Sequence, residues 1–383
     1  MEISMPDDVR IQVPSLIGYS VEANRHSVSG LSSGAFMAVQ LHLAHSGSFV
    51  GAGIIAGGPY RCAETFRDAA IFAGDACALT ALYIAMAPLT PAVAPKPLEL
   101  AATARDVAQA GQIDPLTNLM NDRIYIFTGT QDKVLSPIAV RGTRDFYEAL
   151  GVPGANIRFV DDVPAGHSII TSNPEDLPLG ANQPPYLNYG GADFGDRMQS
   201  HDVLNHIYPD LQPPAEQLSG QLLRFDQRPF VDGDFARSSM NPYGYVYVPG
   251  GVLQGRKARA VHIALHGCKQ GCGYVTATYG RPDTQSQPPF GNRFITTTGY
   301  NSIADSNDII VLYPQAIGSD LGAQNPEGCW DWWGYTDAGS AQPDYYTQNA
   351  IQIRAIHRML MQLCSGGEEP AIRMPAPAAK VMS

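Results

Sequence analysis

Apolar residues in this chain fall into short, nearly unbroken runs closed by glycine or polar residues. VGAGIIAGG at 50–58, ARAVHIALHGC at 258–268 and DIIVLYPQA at 308–316 have the length and branched-residue content of strands buried on both faces. RHSVS at 25–29, RIYIFTGT at 123–130 and the start of NIRFVDDVPAGH at 156–167 predict three more strands, each running into a polar turn. Two segments, 220–230 and 244–251, alternate apolar and polar residues as a hairpin or meander does. Helical periodicity is clear in two places. The run 36–44 is Ala-rich and free of proline, which predicts a buried helix. At 344–363, Ile353, Ile356, Leu360 and Leu363 share one face, with Asp344 placed to cap the start and Gly366-Gly367 to stop the end. Strands alternating with helices predict an α/β fold around a mostly parallel sheet.

Two stretches break this rhythm. Residues 88–97 are rich in Pro and Ala and predict an exposed excursion. Residues 172–197 carry too much Pro, Gly and Asn for a long regular element. Insertions at 88–115 and 172–200 and a loose tail at 366–383 are therefore expected on one catalytic domain spanning 1–383, with no separate substrate-binding domain. Composition supports one large core, since 44% of the 383 residues are hydrophobic and 16% charged. A net charge of −11 without any basic run makes nucleic acid and anionic membranes poor partners. No stretch approaches the ~20 apolar residues of a membrane span. The segment MEISMPDDVRIQV carries acids where a secretion signal carries bases, which favours the cytoplasm. Six cysteines, an even number compatible with disulfides, favour an extracellular setting instead.

The candidate chemistry begins at Gly30-Leu31-Ser32-Ser33-Gly34, a G-x-S-x-G pattern between a predicted strand and a predicted helix. A strand-to-helix turn this tight crowds its neighbours, so glycine is needed two residues either side of the serine. The serine hydroxyl is then thrust out beside a helix N-terminus. Only Ser32 has both glycines, so Ser32 rather than Ser33 is the candidate nucleophile. A serine nucleophile needs a base and a group that orients it. In α/β-hydrolases the chain order is Ser, then Asp or Glu, then His. Asp132 and His167 follow Ser32 in that order, each just past a predicted strand. Asp161 and Asp162 are rival acids.

Acyl transfer also needs donors for the developing oxyanion. One is the N–H of Ser33, after the nucleophile. The other normally comes from a loop on a strand that precedes the elbow, yet only about 30 residues precede Ser32. The buried strand that runs into His266-Gly267 has the right form some 230 residues later. If the strands near 220, 244, 260 and 310 are the missing first four, the chain is a circularly permuted α/β-hydrolase, and the second donor is the N–H of Cys268. His262, His266, Cys268 and Cys272 also mimic zinc-ligand spacing. His262 and His266, four residues apart on a strand, would be about 13 Å apart, too far to share one ion. No metal or cofactor is expected.

VSGLSSGAFMAVQL, IAGGPYRC, GYVYVPGG, ALHGCKQ, RFITTTGYNSIADSNDIIVLYPQA and NPEGCWDWWGY together resemble the circularly permuted, single-domain polyhydroxybutyrate depolymerases. The resemblance spans roughly 20–80, 120–170 and 220–365. It implies a serine esterase acting on poly(3-hydroxybutyrate) or its oligomers, with triad Ser32, Asp132 and His167 and oxyanion donors Ser33 and Cys268. It further implies a substrate contact from Trp332 and disulfides Cys62–Cys77 and Cys268–Cys329. All three tryptophans (Trp330, Trp332, Trp333) fall in one loop, an arrangement that suits an apolar polyester chain or a satellite core equally well. Two other functions fit less of the pattern. One is a feruloyl or acetyl esterase on plant polysaccharide, and the other is a polyester-granule binding protein with a vestigial site.

Overall fold

The computed structural model describes residues 14–65, 85–195, 197–274, 277–278, 281–282, 290–318, 325, 327–337, 340 and 343–366. Eight strands form the central sheet: β1 (His26–Leu31), β2 (Phe49–Ile55), β3 (Arg123–Phe127), β4 (Ile157–Val160), β8 (Gln221–Asp226), β9 (Tyr243–Val248), β10 (Ala260–Leu265) and β13 (Ile309–Tyr313). Three short strands, β5 (Ile169–Thr171), β6 (Leu177–Pro178) and β7 (Leu187–Tyr189), make a separate small sheet, and β11 (Ala277–Thr278) pairs with β12 (Arg281–Pro282). The five longest helices among the described residues are α1 (Ser33–Ala44), α2 (Pro97–Gln109), α3 (Pro137–Leu150), α4 (Gln199–Ile207) and α5 (Ile351–Leu363).

The sheet order is β4-β3-β2-β1-β10-β13-β9-β8. The strands from β4 to β13 are parallel, and β9 and β8 are antiparallel at one edge. Counted from β8 to β13 and then on from β1, the sheet strands cross as first, second, fourth, third, fifth, sixth, seventh and eighth. In that count the Ser32 turn follows the fifth strand. The His266-Gly267 loop follows the third, the place of the oxyanion loop in α/β-hydrolases. The expected permutation is thus written in the strand order. The backbones of the two joined regions meet directly: Tyr19 N–H donates to Leu363 O at 2.8 Å, and Gly366 N–H to Tyr19 O at 3.1 Å.

Burial explains the unbroken apolar runs. Every residue of β1, β10 and β13 is buried, and so is every residue of α1. Glycines in β2 let a helix approach closely: a Cβ on Gly53 would lie 2.5 Å from the Val203 side chain of α4. The alternating segments pair antiparallel as β8 and β9, as their pattern predicts. No described helix is long and apolar enough to cross a membrane.

One expectation needs correction. Helix α5 starts at Ile351, and Asp344 does not cap it. The N–H groups of Asp344 and Tyr345 both donate to Asp337 Oδ2 at 2.7 Å, and Asp344 O closes a turn onto Thr347 N–H, so this stretch folds back before the helix begins. Within the 88–115 stretch, residues 97–109 form α2, whose Leu100, Ala101, Ala104 and Val107 are buried. Of the expected Cys62–Cys77 pair, Cys62 is a free thiol. It packs inward, where a Cβ on Gly58 would meet its Sγ at 3.0 Å, and burial pushes its pKa well up. Cys77 lies outside the described residues.

Candidate active site

Strands β1, β3, β4 and β10 are parallel, so the loops after them leave the same edge of the sheet. Those loops carry Ser32, Asp132, His167 and Cys268. Ser32 has φ 56° and ψ −125°, a left-handed conformation that costs a non-glycine residue on the order of 1–3 kcal/mol. Its N–H donates to Ile55 O at 3.0 Å, and its O accepts from the N–H groups of Ala35 and Phe36, so both sides of the strained residue are tied. The flanking glycines are steric necessities. A Cβ on Gly30 would lie 2.3 Å from the Gly34 backbone, and one on Gly34 would lie 2.4 Å from the carbonyls of Leu265 and His266. Ser33 Oγ is buried without a partner, so its hydroxyl has no visible role.

Asp132 and His167 meet in a buried pair, Oδ2 to Nδ1, at 2.8 Å. The other carboxylate oxygen accepts the N–H groups of Val134 and Leu135, both at 2.8 Å. A carboxylate on Nδ1 fixes the proton there and leaves Nε2 as the basic nitrogen. Backbone bonds zip the two loops together: Thr128 N–H to Val160 O, Thr130 N–H to Val163 O and Gln131 N–H to Ala165 O. The Tyr186 ring stands edge-on to the imidazole, with centroids 5.3 Å apart. The rival acids are elsewhere: Asp161 pairs with Arg141 at the surface, and Asp162 is exposed.

The loop after β10 presses on Ser32. A Cβ on Gly267 would lie 3.3 Å from Ser32 Cβ, which puts the next residue, Cys268, at the same turn. Among the described residues, no acceptor takes the N–H of Ser33 or of Cys268. Cys268 is bonded to Cys329, Cα to Cα 4.2 Å, as the resemblance implies. His266 holds the loop from below. Burial drops its pKa to about 4, so it is neutral, with Nδ1–H donating to Gly267 O and Nε2 accepting from Ala316 N–H. His262, the other supposed zinc ligand, is buried between Ser27 Oγ at 2.7 Å and Ser29 Oγ at 2.8 Å, with Tyr300 stacked on it.

The tryptophan loop is built around Asp331, which is fully buried. Its carboxylate accepts from the N–H groups of Trp333, Gly334, Tyr335 and Thr336 and from Thr336 Oγ1. Burial pushes its pKa up to about 6 while these donors pull the other way. Trp332 stacks on Phe36 of α1, with centroids 3.9 Å apart and planes 14° apart, and only 4% of it is exposed. Phe36 lies one helical turn after Ser32. Trp330 is wholly buried beside His266, and Trp333 is partly open.

Residues without an obvious motif also organise the site. Gln270 accepts Gly267 N–H at 2.6 Å and donates to Pro185 O at 2.6 Å, joining the loop after β10 to the 172–200 insertion. Asn182 of that insertion reaches the other two loops. Neither residue has a spacing signal, because each bonds to backbone far away in sequence. Asp331 had a weak one, an acid heading a loop of glycine and hydroxyl residues.

A strained serine on a strand-to-helix elbow, a buried Asp–His pair and two unengaged N–H groups define a serine hydrolase on the α/β-hydrolase fold. No protein-family model matches the chain. A poly(3-hydroxybutyrate) depolymerase of Delftia acidovorans is 34% identical over 375 residues, covering 96% of this chain. The chain spans 65% of that relative's length. A polyhydroxybutyrate depolymerase of Talaromyces funiculosus is 32% identical, covering 93% of this chain and 94% of the relative. Among solved structures, a PHB depolymerase from Penicillium funiculosum aligns with TM-score 0.73 and 30% identity over 92% of this chain and 99% of that one. A PHB depolymerase with a serine-to-alanine substitution, complexed with an R3HB trimer, aligns with TM-score 0.72 and 29% identity over the same shares. The chain belongs to the polyhydroxybutyrate depolymerase family.

Proposed function

We propose that this chain is a serine esterase that hydrolyses poly(3-hydroxybutyrate) or its oligomers to 3-hydroxybutyrate products. The observation that carries the reading is the Asp132–His167 hydrogen bond on the same sheet edge as strained Ser32, in a chain of this family. Nε2 of His167 takes the Ser32 proton as Oγ attacks the ester carbonyl, and Asp132 holds the imidazolium that forms. The N–H groups of Ser33 and Cys268 receive the oxyanion. The alcohol leaves with the proton from His167, and water repeats the sequence on the acyl-enzyme. Trp332, laid on Phe36, supplies apolar wall for an uncharged chain of methyl groups and esters. The disulfide beside the site supports work in an oxidising, extracellular setting over a cytoplasmic one.

The test is product analysis on amorphous poly(3-hydroxybutyrate). Wild type is expected to release 3-hydroxybutyrate or its oligomers. Ser32→Ala is expected to lose on the order of 10⁶ in kcat with its fold intact, the scale of triad knockouts in subtilisin. Ser33→Ala keeps most activity, since only its backbone is used. Release of ferulate or acetate from polysaccharide esters, with the polyester untouched, would overturn the substrate assignment.

A further inference from the structure

Asn182 sits in the 172–200 insertion, half-buried, four residues before Tyr186, which turns its ring to His167 once the two prolines are passed. Its side chain makes four hydrogen bonds. Oδ1 accepts His167 N–H at 3.0 Å and Lys133 N–H at 2.8 Å. Nδ2 donates to Gln131 O and to Gly180 O, both at 3.0 Å. An amide has two acceptor sites and two donors, so its capacity is filled. Two of the four bonds grip the residues on either side of Asp132, and a third grips His167 itself. One planar group therefore fixes the backbone of the acid and of the base at once.

We propose that Asn182 is a positioning residue for the Asp132–His167 pair, holding the two loops at the separation the 2.8 Å contact requires. This rests on the triad assigned above. The insertion is then part of the catalytic frame, and its close packing fits that role: a Cβ on Gly166, next to His167, would lie 2.0 Å from Ala181 O. A misplacement of about 1 Å in a catalytic group costs up to ~10² in rate. Nothing in the arrangement has Asn182 touch substrate, so its effect falls on kcat.

The experiment measures kcat and KM on a soluble short-chain ester for wild type, Asn182→Ala and Asn182→Asp, per active site titrated with a fluorophosphonate, and for Ser32→Ala, which the probe cannot label, per mole of folded protein. The downfield proton resonance of the His167 Nδ1–H is recorded in parallel. Asn182→Ala is expected to lower kcat by roughly 10- to 100-fold with KM within about twofold, and to broaden or shift the resonance. Asn182→Asp keeps both accepting contacts and is expected to recover much of the kcat and the resonance. The proposal is overturned if both variants melt earlier yet keep wild-type kcat per titrated site and an unchanged resonance, which is how a purely structural asparagine behaves. Should Asn182→Ala not fold, Asn182→Asp alone decides, because an acid that keeps the fold but loses as much kcat as the Ser32 control contradicts the bridging role. An active Ser32→Ala would sink the triad itself, an outcome distinct from failure of Asn182.

Discussion

The elbow that carries Ser32 and the loops that face it solve the same problem of holding an unfavourable backbone in opposite ways. The elbow is local. Five residues, two of them glycine because no Cβ fits, turn a strand into a helix, and Ser32 is tied by its own helix and by the neighbouring strand. The facing side is assembled from distant pieces. A disulfide joins Cys268 to Cys329 across 61 residues, Gln270 and Asn182 bond to loops 15 to 85 residues away, and Asp331 gathers five donors. A local device breaks at single positions and breaks completely. A distributed one should lose activity in steps.

The sharpest way to break the local side is Gly34→Ala. Its methyl would enter two backbone carbonyls that cannot move without shifting the end of β10. We expect a loss of more than about 4 kcal/mol and at least ~100-fold in kcat, read by thermal melts and by turnover per titrated site. On the distributed side, Cys268→Ser with Cys329→Ser should lower stability by about 2–4 kcal/mol. Turnover should fall only about tenfold, because Gln270 and His266 still hold Gly267. A collapse as complete as that of Gly34→Ala would show that the facing loop has no redundancy.

Trp332 separates polymer grip from chemistry. With only 4% of Trp332 exposed, a polyester covers little of its ring directly, so Trp332→Ala should act by collapsing the wall it makes with Phe36 and weaken polymer hydrolysis by about tenfold. Hydrolysis of a short p-nitrophenyl ester, which reaches only the acyl pocket, should fall much less. Because Trp332 is buried on Phe36, its loss will also lower the melting temperature. Equal loss on both substrates would make it wall alone.

Stability in mild acid tests the buried imidazoles. Burial holds the pKa of His262 near about 3 and of His266 near about 4, and burial together with the neighbouring His357 does the same for His26, near about 4, and His45, near about 3. The unfolded chain takes up these protons below about pH 6.5 while the folded one does not. Stability should therefore be flat above pH 6.5 and decline towards pH 4, with urea midpoints as the measure. A midpoint that rises on acidification would contradict the neutral assignment of these rings.

The same contrast explains what the amino-acid pattern made legible. Strands were readable because burial on both faces leaves an apolar run, and the elbow because its glycines are steric requirements spaced in sequence. The pairing of Asp132 with His167 was readable because chain order and strand ends coincide. The helix start at Ile351 was not, since Asp344 bonds to Asp337 rather than to a helix terminus. Nor were Asn182 and Gln270, because an amide that bonds to remote backbone carries no periodicity.

The hydrogen bonds between Tyr19 and the stretch 363–366 carry a further consequence. Because residue 19 and residues 363–366 are already neighbours, which of the two joined regions is made first is a matter of genetic bookkeeping rather than of architecture. A short peptide joining 366 to 19, with a new opening in the irregular connection between α4 and β8, would yield a protein whose strands are made in the order in which the sheet counts them. Its elbow would then emerge from the ribosome after its oxyanion loop instead of before it. The finished site would be the same, and only the sequence of its assembly would differ.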